Sequence, residues 1–254
     1  MAELRRVSSY LLGKSFFFLP KQIDVVARRS NTRRDMSEPV SALEQLRAQY
    51  LAAQLAGDRQ RALKLVVDDA LASGLSVPEI HLSVIQQAQR EVGRLWQTNV
   101  ISVAKEHLAT SISQLAIARL YQHLPRSQAN GKVVVVACVE GEFHDVGGRM
   151  GADFLEMAGF DVRFLGANVP TDSLLRLVEE HRAQALGLSA SMTVHLPALE
   201  GAVRAARAKF GQKFPLMIGG AVAEFELPFA SELGVCVSAD AEQLVRQCRG
   251  LLEC

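Results

Sequence analysis

The stretch Val133-Val-Val-Val-Ala-Cys138-Val139-Glu-Gly-Glu142-Phe-His144-Asp145-Val-Gly147 decides the fold. Its first seven residues form an unbroken apolar run rich in β-branched side chains, as expected of a strand buried on both faces. A short polar loop follows, and Gly147 opens a helix reaching about residue 158. The alternation then repeats. Strands are expected at 161–165, 185–189, 216–218 and 235–237, with helices at 172–181, 197–209, near 223–232 and at 241–252. Five βα units joined by right-handed crossovers predict a parallel sheet of strand order 2-1-3-4-5.

Upstream, the apolar residues recur at helical spacing from Val40 to Leu124. Leu43, Leu46, Tyr50 and Leu51 begin one helix, which ends near Gly57. Ala62, Leu65, Val66, Ala70 and Leu71 mark a second. Ser76 caps a third, with Pro78 in its first turn and an apolar face of Ile80, Val84, Ile85, Ala88, Val92, Leu95 and Trp96. Ser102 caps a fourth, whose apolar face is read as Leu108, Ile112, Leu115, Ile117, Ala118 and Tyr121. Short connections make these a four-helix bundle. The expected fold class is therefore α/β with an α-helical cap, a bundle followed by a flavodoxin-like, five-stranded Rossmann-type domain. The boundaries read as a basic extension over 1–39, a cap over 40–125 and an α/β domain over 132–254.

Forty-one residues separate Gly147 from Ser189-Ala-Ser191, and 27 more separate Ser191 from Gly219-Gly220. All three motifs fall at the carboxyl ends of parallel strands, where open α/β sheets bind ligands. Together they resemble the Asp-x-His-x-x-Gly, Ser-x-Leu and Gly-Gly signature of cobalamin-binding domains. That resemblance implies that His144 ligates cobalt from below and that Gly147 lets the backbone pass close to a bulky ring. It also implies that Ser189, Thr193, Gly219 and Gly220 line a slot for the displaced nucleotide tail. Two positions depart from the pattern. Glu142 stands where Asp is usual, so the acceptor orienting His144 is either Glu142 at altered geometry or Asp145. Ser191 stands where Leu is usual and brings a hydroxyl that needs a partner if buried.

In the cap, Trp96, the only Trp of the chain, is followed after nine residues by Glu106-His107. The loop between the third and fourth helices can bring the three together. This pattern resembles the cap of light-sensing cobalamin proteins of the CarH type. There the Trp and Glu crowd the upper axial group, and the His takes the vacated cobalt position after photolysis. The resemblance thus makes His107 a second candidate cobalt ligand. His81, His123 and His181 read as surface or boundary residues of helical segments, and His195 as a residue that could border the tail slot.

Residues 1–35 carry eight Arg and Lys against three acidic residues, a net of +5, which leaves −4 for the rest of a chain whose formal net charge is +1. The acidic body has no general attraction to nucleic acid, whereas the basic segment could add weak DNA contacts. It either resembles a targeting peptide or is an optional extension before a second start at Met36. The run at Tyr10–Leu19 is broken by Gly13 and Lys14 and is too short to span a membrane. Cys138, Cys236, Cys248 and Cys254 include no Cys-x-x-Cys pair and suit a reducing cytoplasm.

The whole arrangement resembles the AerR/PpaA family, which implies a non-enzymatic, light-responsive antirepressor acting through a CrtJ/PpsR-like DNA-binding repressor. Adenosylcobalamin, hydroxocobalamin and methylcobalamin are the candidate cofactor forms. A corrinoid methyl carrier serving separate methyltransferases is the rival from another class, and a haem or other tetrapyrrole sensor is a third.

Overall fold

A computed structural model describes residues 41–253. The basic extension and its expected DNA contacts lie outside the described residues.

The helical layer is built by local signals. Helix α1 (Ala42–Ala56) starts at a reciprocal capping box between Ser41 and Glu44 and stops at Gly57, whose φ of 74° suits glycine. Helix α2 runs over 59–72 and α3 over 77–97. Each contains one π-helical stretch, Lys64–Asp69 and Ile80–Ile85. A second capping box, Ser76 with Glu79, opens α3, and Pro78 occupies its first turn. Helix α4 (Val103–Leu120) is capped by Ser102.

The buried face of α4 differs from the expected one. Glu106, Ala109, Ile112, Ser113, Ala116, Ile117 and Leu120 face inward, whereas Leu108 and Tyr121 are each 40% exposed. Small and polar residues occupy much of the inner face, so a count of large apolar residues assigns its phase wrongly. His81 is a second correction: on α3 it is fully buried rather than at the surface.

The sheet comprises β1 (Val133–Cys138), β2 (Asp161–Phe164), β3 (Ala185–Ser189), β4 (Leu216–Gly219) and β5 (Cys236–Val237). All pairings are parallel and the order is β2-β1-β3-β4-β5, as the sequence predicted. Helices α5 (Val146–Met157), α6 (Thr171–Glu180), α7 (Leu196–Phe210), α8 (Pro228–Glu232) and α9 (Ala241–Leu252) complete the βα units.

The register fixes the ligand-binding edge. Cys138 pairs with Ser189, and Ser189 with Gly219, so the ends of β1, β3 and β4 stand side by side.

The helical layer packs directly on α5. Val146, Met150, Phe154 and Met157 of α5 share one apolar core with Tyr50, Ile80, Ile112 and Leu120 of the bundle. Full burial stabilises each large apolar side chain by about 1.5–3 kcal/mol. The joint is also polar: His81 Nδ1 donates to the Val77 carbonyl at 3.1 Å, and Nε2 lies 3.0 Å from Asp153 Oδ2 on α5. The connecting segment is tied down as well, through Ser127 N to Met157 O and Asn130 N to Gly159 O, both 3.0 Å. The described residues, 41–253, accordingly belong to one compact unit. Among the described residues no helix is long and apolar enough to cross a membrane.

Candidate cobalamin site

His144 lies between β1 and α5, at the carboxyl edge of the sheet, with 39% of its side chain exposed. Its orienting acceptor is Glu142, not Asp145. Glu142 Oε1 accepts from His144 Nδ1 at 2.5 Å and from the His144 main-chain N–H at 2.8 Å. The other oxygen, Oε2, accepts from the main-chain N–H of Ser191 at 2.7 Å and of Met192 at 3.3 Å. The Glu142 side chain is fully buried, and His195 Nε2 approaches Oε2 at 4.0 Å. The extra methylene of Glu thus lets one carboxylate bridge the loops after β1 and β3.

The charges follow from these bonds. Burial opposes the Glu142 carboxylate, but the His144 side chain and the Ser191 and His144 amides outweigh it and hold its pKa down at about 2. The hydrogen bond to Glu142 raises the pKa of His144 against the effect of burial, and the charges of Glu142 and Glu106 add to the rise. Glu106 belongs to α4, so a carboxylate of the helical layer lies within electrostatic reach of His144. With Nδ1 held by Glu142, a neutral His144 has Nε2 free to ligate a metal.

Asp145 instead joins the layers. It is buried, its Oδ1 accepts from Gln114 Nε2 of α4 at 2.7 Å, and its Oδ2 lies 3.6 Å from Arg149 Nη2.

Ser189 is buried at the end of β3, and its Oγ meets no hydrogen-bond partner at ordinary geometry. The Cys138 thiol beside it is a weak partner. Burial, aided by the charges of Asp145 and Glu142, pushes that thiol up to about 12. A side chain on Gly219 would meet nothing within 4 Å, nor would one on Gly147. Gly220 has φ +88°, and a Cβ there would fall 2.1 Å from the Ala190 carbonyl oxygen. A buried hydroxyl without a strong partner, beside open space at Gly219, fits a polar group entering at the carboxyl ends of β3 and β4. Ser191 contributes its amide to Glu142 and is half-buried, while Thr193 is exposed at the start of the turn Thr193–His195.

In the helical layer, Trp96 lies half-buried in the last turn of α3. The following loop is closed by Asn99 N to Trp96 O at 2.9 Å and Val100 N to Leu95 O at 2.8 Å. Glu106 is buried, and its Oε2 lies 2.5 Å from Nδ1 of His107, whose side chain is 73% exposed. Glu106 and His107 are therefore in direct contact. Sequence reasoning missed Gln114 and the approach of His195 to Glu142, because their partners are distant in the chain. A cleft of about 450 Å³ lined by Phe154, Met157 and Val245, at the far end of α5, contains none of the motif residues.

A parallel sheet with a loop histidine, an orphaned serine and a glycine pair on one edge, under a helical layer, defines a class of corrinoid-binding folds. Two family models, both described as B12 binding domain, match residues 132–248 and 46–121. The chain belongs to this cobalamin-binding family, and cobalamin is its cofactor. It is 27% identical over 208 residues to dimethylamine corrinoid protein 1 of Methanosarcina acetivorans, covering 80% of this chain and 96% of that protein. It is 30% identical over 195 residues to the HTH-type transcriptional repressor CarH of Myxococcus xanthus, covering 76% of this chain and 64% of the repressor. In fold it is similar to the monomethylamine corrinoid protein of Methanosarcina barkeri, with a TM-score of 0.73, 18% identity, and 83% of this chain and 100% of that chain covered.

Proposed function

We propose that the protein is a cobalamin-dependent, light-responsive regulator of the AerR/PpaA type, which acts through a separate DNA-binding repressor of the CrtJ/PpsR kind. The observation that carries this reading is the Glu106–His107 pair on the helical layer, with Glu106 in electrostatic reach of His144. His144 would hold the cobalt from below, oriented by Glu142. Ser189, Gly219 and Gly220 would receive the nucleotide tail, with Thr193 at the mouth of the slot. Bound cobalamin supplies a cobalt whose upper carbon ligand is light-labile. Trp96 and Glu106 would limit the size of the upper group, and His107 would occupy the upper position once that group has gone. A smaller upper group would change how the helical layer rests on the sheet edge, a population shift driven by differential contacts.

A corrinoid methyl carrier serving separate methyltransferases is the second reading. By extent of match the comparisons favour it, because the dimethylamine corrinoid protein aligns over nearly its whole length. The overall match measures the fold that both classes share, and function is argued from the site. The residues of the upper face therefore lead.

Absorption spectra of the protein loaded with adenosylcobalamin, before and after illumination, test the choice. The regulator reading expects a light-induced change to a spectrum that loses its stability in His107→Ala, together with altered repressor binding. Methylation of the bound cofactor by a partner methyltransferase, with no light effect on repressor binding, would establish the carrier instead.

A further inference from the structure

A hydrogen-bonded chain crosses the helical core and ends on Glu106. Gln54 Nε2 of α1 faces three acceptors, Gln89 Oε1 at 3.1 Å, the Ala109 carbonyl at 3.0 Å and Ser113 Oγ at 2.8 Å. Ser113 Oγ donates to Gln89 Oε1 at 3.1 Å. With its proton so used, Ser113 accepts from the Tyr50 hydroxyl at 3.1 Å. Two donors on Gln89 Oε1 fix the orientation of that amide, so Nε2 must face the other way. There it donates to Thr110 Oγ1 at 2.9 Å, and Thr110 Oγ1 donates to Glu106 Oε1 at 2.8 Å. From Tyr50 onward every donor points towards the carboxylate.

This polarity is unusual for the middle of a small bundle. Tyr50, Gln54 and Ser113 are fully buried, at positions where apolar side chains would pack without any need for partners. Gln54 Oε1 is left buried with no partner, a cost the arrangement carries. Interior polar chains of one direction strengthen link by link, and this one ends at a carboxylate whose second oxygen lies 2.5 Å from His107 Nδ1.

We infer that Gln89 and Thr110 are positioning residues for the upper face: they aim this run of donors at Glu106 Oε1, so that Oε2 holds the Nδ1–H of His107 and the Nε2 of His107 keeps a free lone pair. The inference rests on the reading of Glu106 and His107 as the upper-face pair. Thr110 acts through Glu106, and Gln89 through Thr110. Neither needs to touch the cofactor.

The test is the tautomer of His107 in the full-length, cobalamin-free protein. Ring ¹⁵N shifts, which distinguish the two neutral tautomers from the charged ring, are read in mildly alkaline buffer, and the His107 signals are assigned by their loss in His107→Ala. The wild type should show mainly the Nδ1–H form. Thr110→Val keeps the side-chain shape and removes the donor. It should lower the ratio of Nδ1–H to Nε2–H about fivefold, the worth of one hydrogen bond of ordinary net strength. Thr110→Ser keeps a hydroxyl and should restore the wild-type ratio, which loss of packing alone would not do. Gln89→Met, similar in volume and unable to donate, should act like Thr110→Val and carries the test if the latter folds poorly. A wild-type ratio in both Thr110→Val and Gln89→Met would overturn the inference, as would a Thr110→Ser protein that behaves like Thr110→Val. Because no cobalamin is present, this failure is separate from failure of the regulator reading, which the spectra of loaded His107→Ala decide.

Discussion

One oxygen of Glu142 accepts both the ring Nδ1–H and the main-chain N–H of His144, at 2.5 and 2.8 Å, while the other binds the amides of Ser191 and Met192. The carboxylate therefore fixes the candidate cobalt ligand and the loop after β3 in a single buried contact.

This contact sets a pH signature. The folded pKa of Glu142 is lowered to about 2, so its stabilisation is complete above its ordinary range and is lost as pH falls towards that value. The pKa of His144 is raised, so its contribution is complete below about pH 6.5 and is lost as pH rises through the folded value. Cobalamin-free protein should thus draw most from this pair between about pH 4.5 and 6.5. Glu142→Gln should cost on the order of 2 kcal/mol there, with the deficit shrinking towards pH 2. Urea unfolding across this range provides the check; a deficit independent of pH would contradict it.

Ser189→Ala should have opposite effects on stability and binding. Its Oγ is buried with only the weak Cys138 thiol beside it, so removing it should leave the cobalamin-free protein as stable as before or more stable by up to about 1 kcal/mol. If the hydroxyl serves the nucleotide tail, affinity should fall about five- to tenfold. Thermal melts and absorbance titrations measure the two effects, and unchanged affinity would remove Ser189 from the slot.

Gly220→Ala should destabilise the protein by more than about 2 kcal/mol, because φ is +88° and the new Cβ would meet the Ala190 carbonyl oxygen at 2.1 Å. Gly219→Ala, with open space around it, should fold normally yet bind cobalamin less well. Comparing the two by circular dichroism melts and binding titrations separates a backbone demand from a ligand demand.

His81→Leu should cost about 3–5 kcal/mol, since it leaves the Asp153 carboxylate buried without its partner. The double variant His81→Leu with Asp153→Leu should recover much of that loss, because no buried charge then remains. Denaturant unfolding of these two variants and of Asp153→Leu alone measures the coupling. A double variant as unstable as the sum of its parts would mean that the pair is not the joint it is taken to be.

The sequence by itself determined the elements and the lower edge of the site. The β-branched run at Val133–Cys138, the caps at Ser76 and Ser102, and the glycines at 219 and 220 are local signals. Hydrophobic period and capping chemistry act within a few residues, so they are legible without the fold. The same signals placed His144, Ser189 and Gly219 at strand ends, and the register then set those ends side by side. Only the tertiary structure decided which polar groups meet. Asp145 was an open rival to Glu142 as the partner of His144 until Gln114, 31 residues away, was seen to occupy it. The Glu142 bond to Ser191 spans 49 residues, and the His81 bond to Asp153 spans 72. Such partners are chosen by how helices dock on the sheet, and docking is set by the shape and volume of the shared core. The misplaced face of α4 has the same origin: its inner residues are small or polar because α1, α3 and α5 press close and the chain to Glu106 runs between them, a demand that no periodicity in α4 alone records.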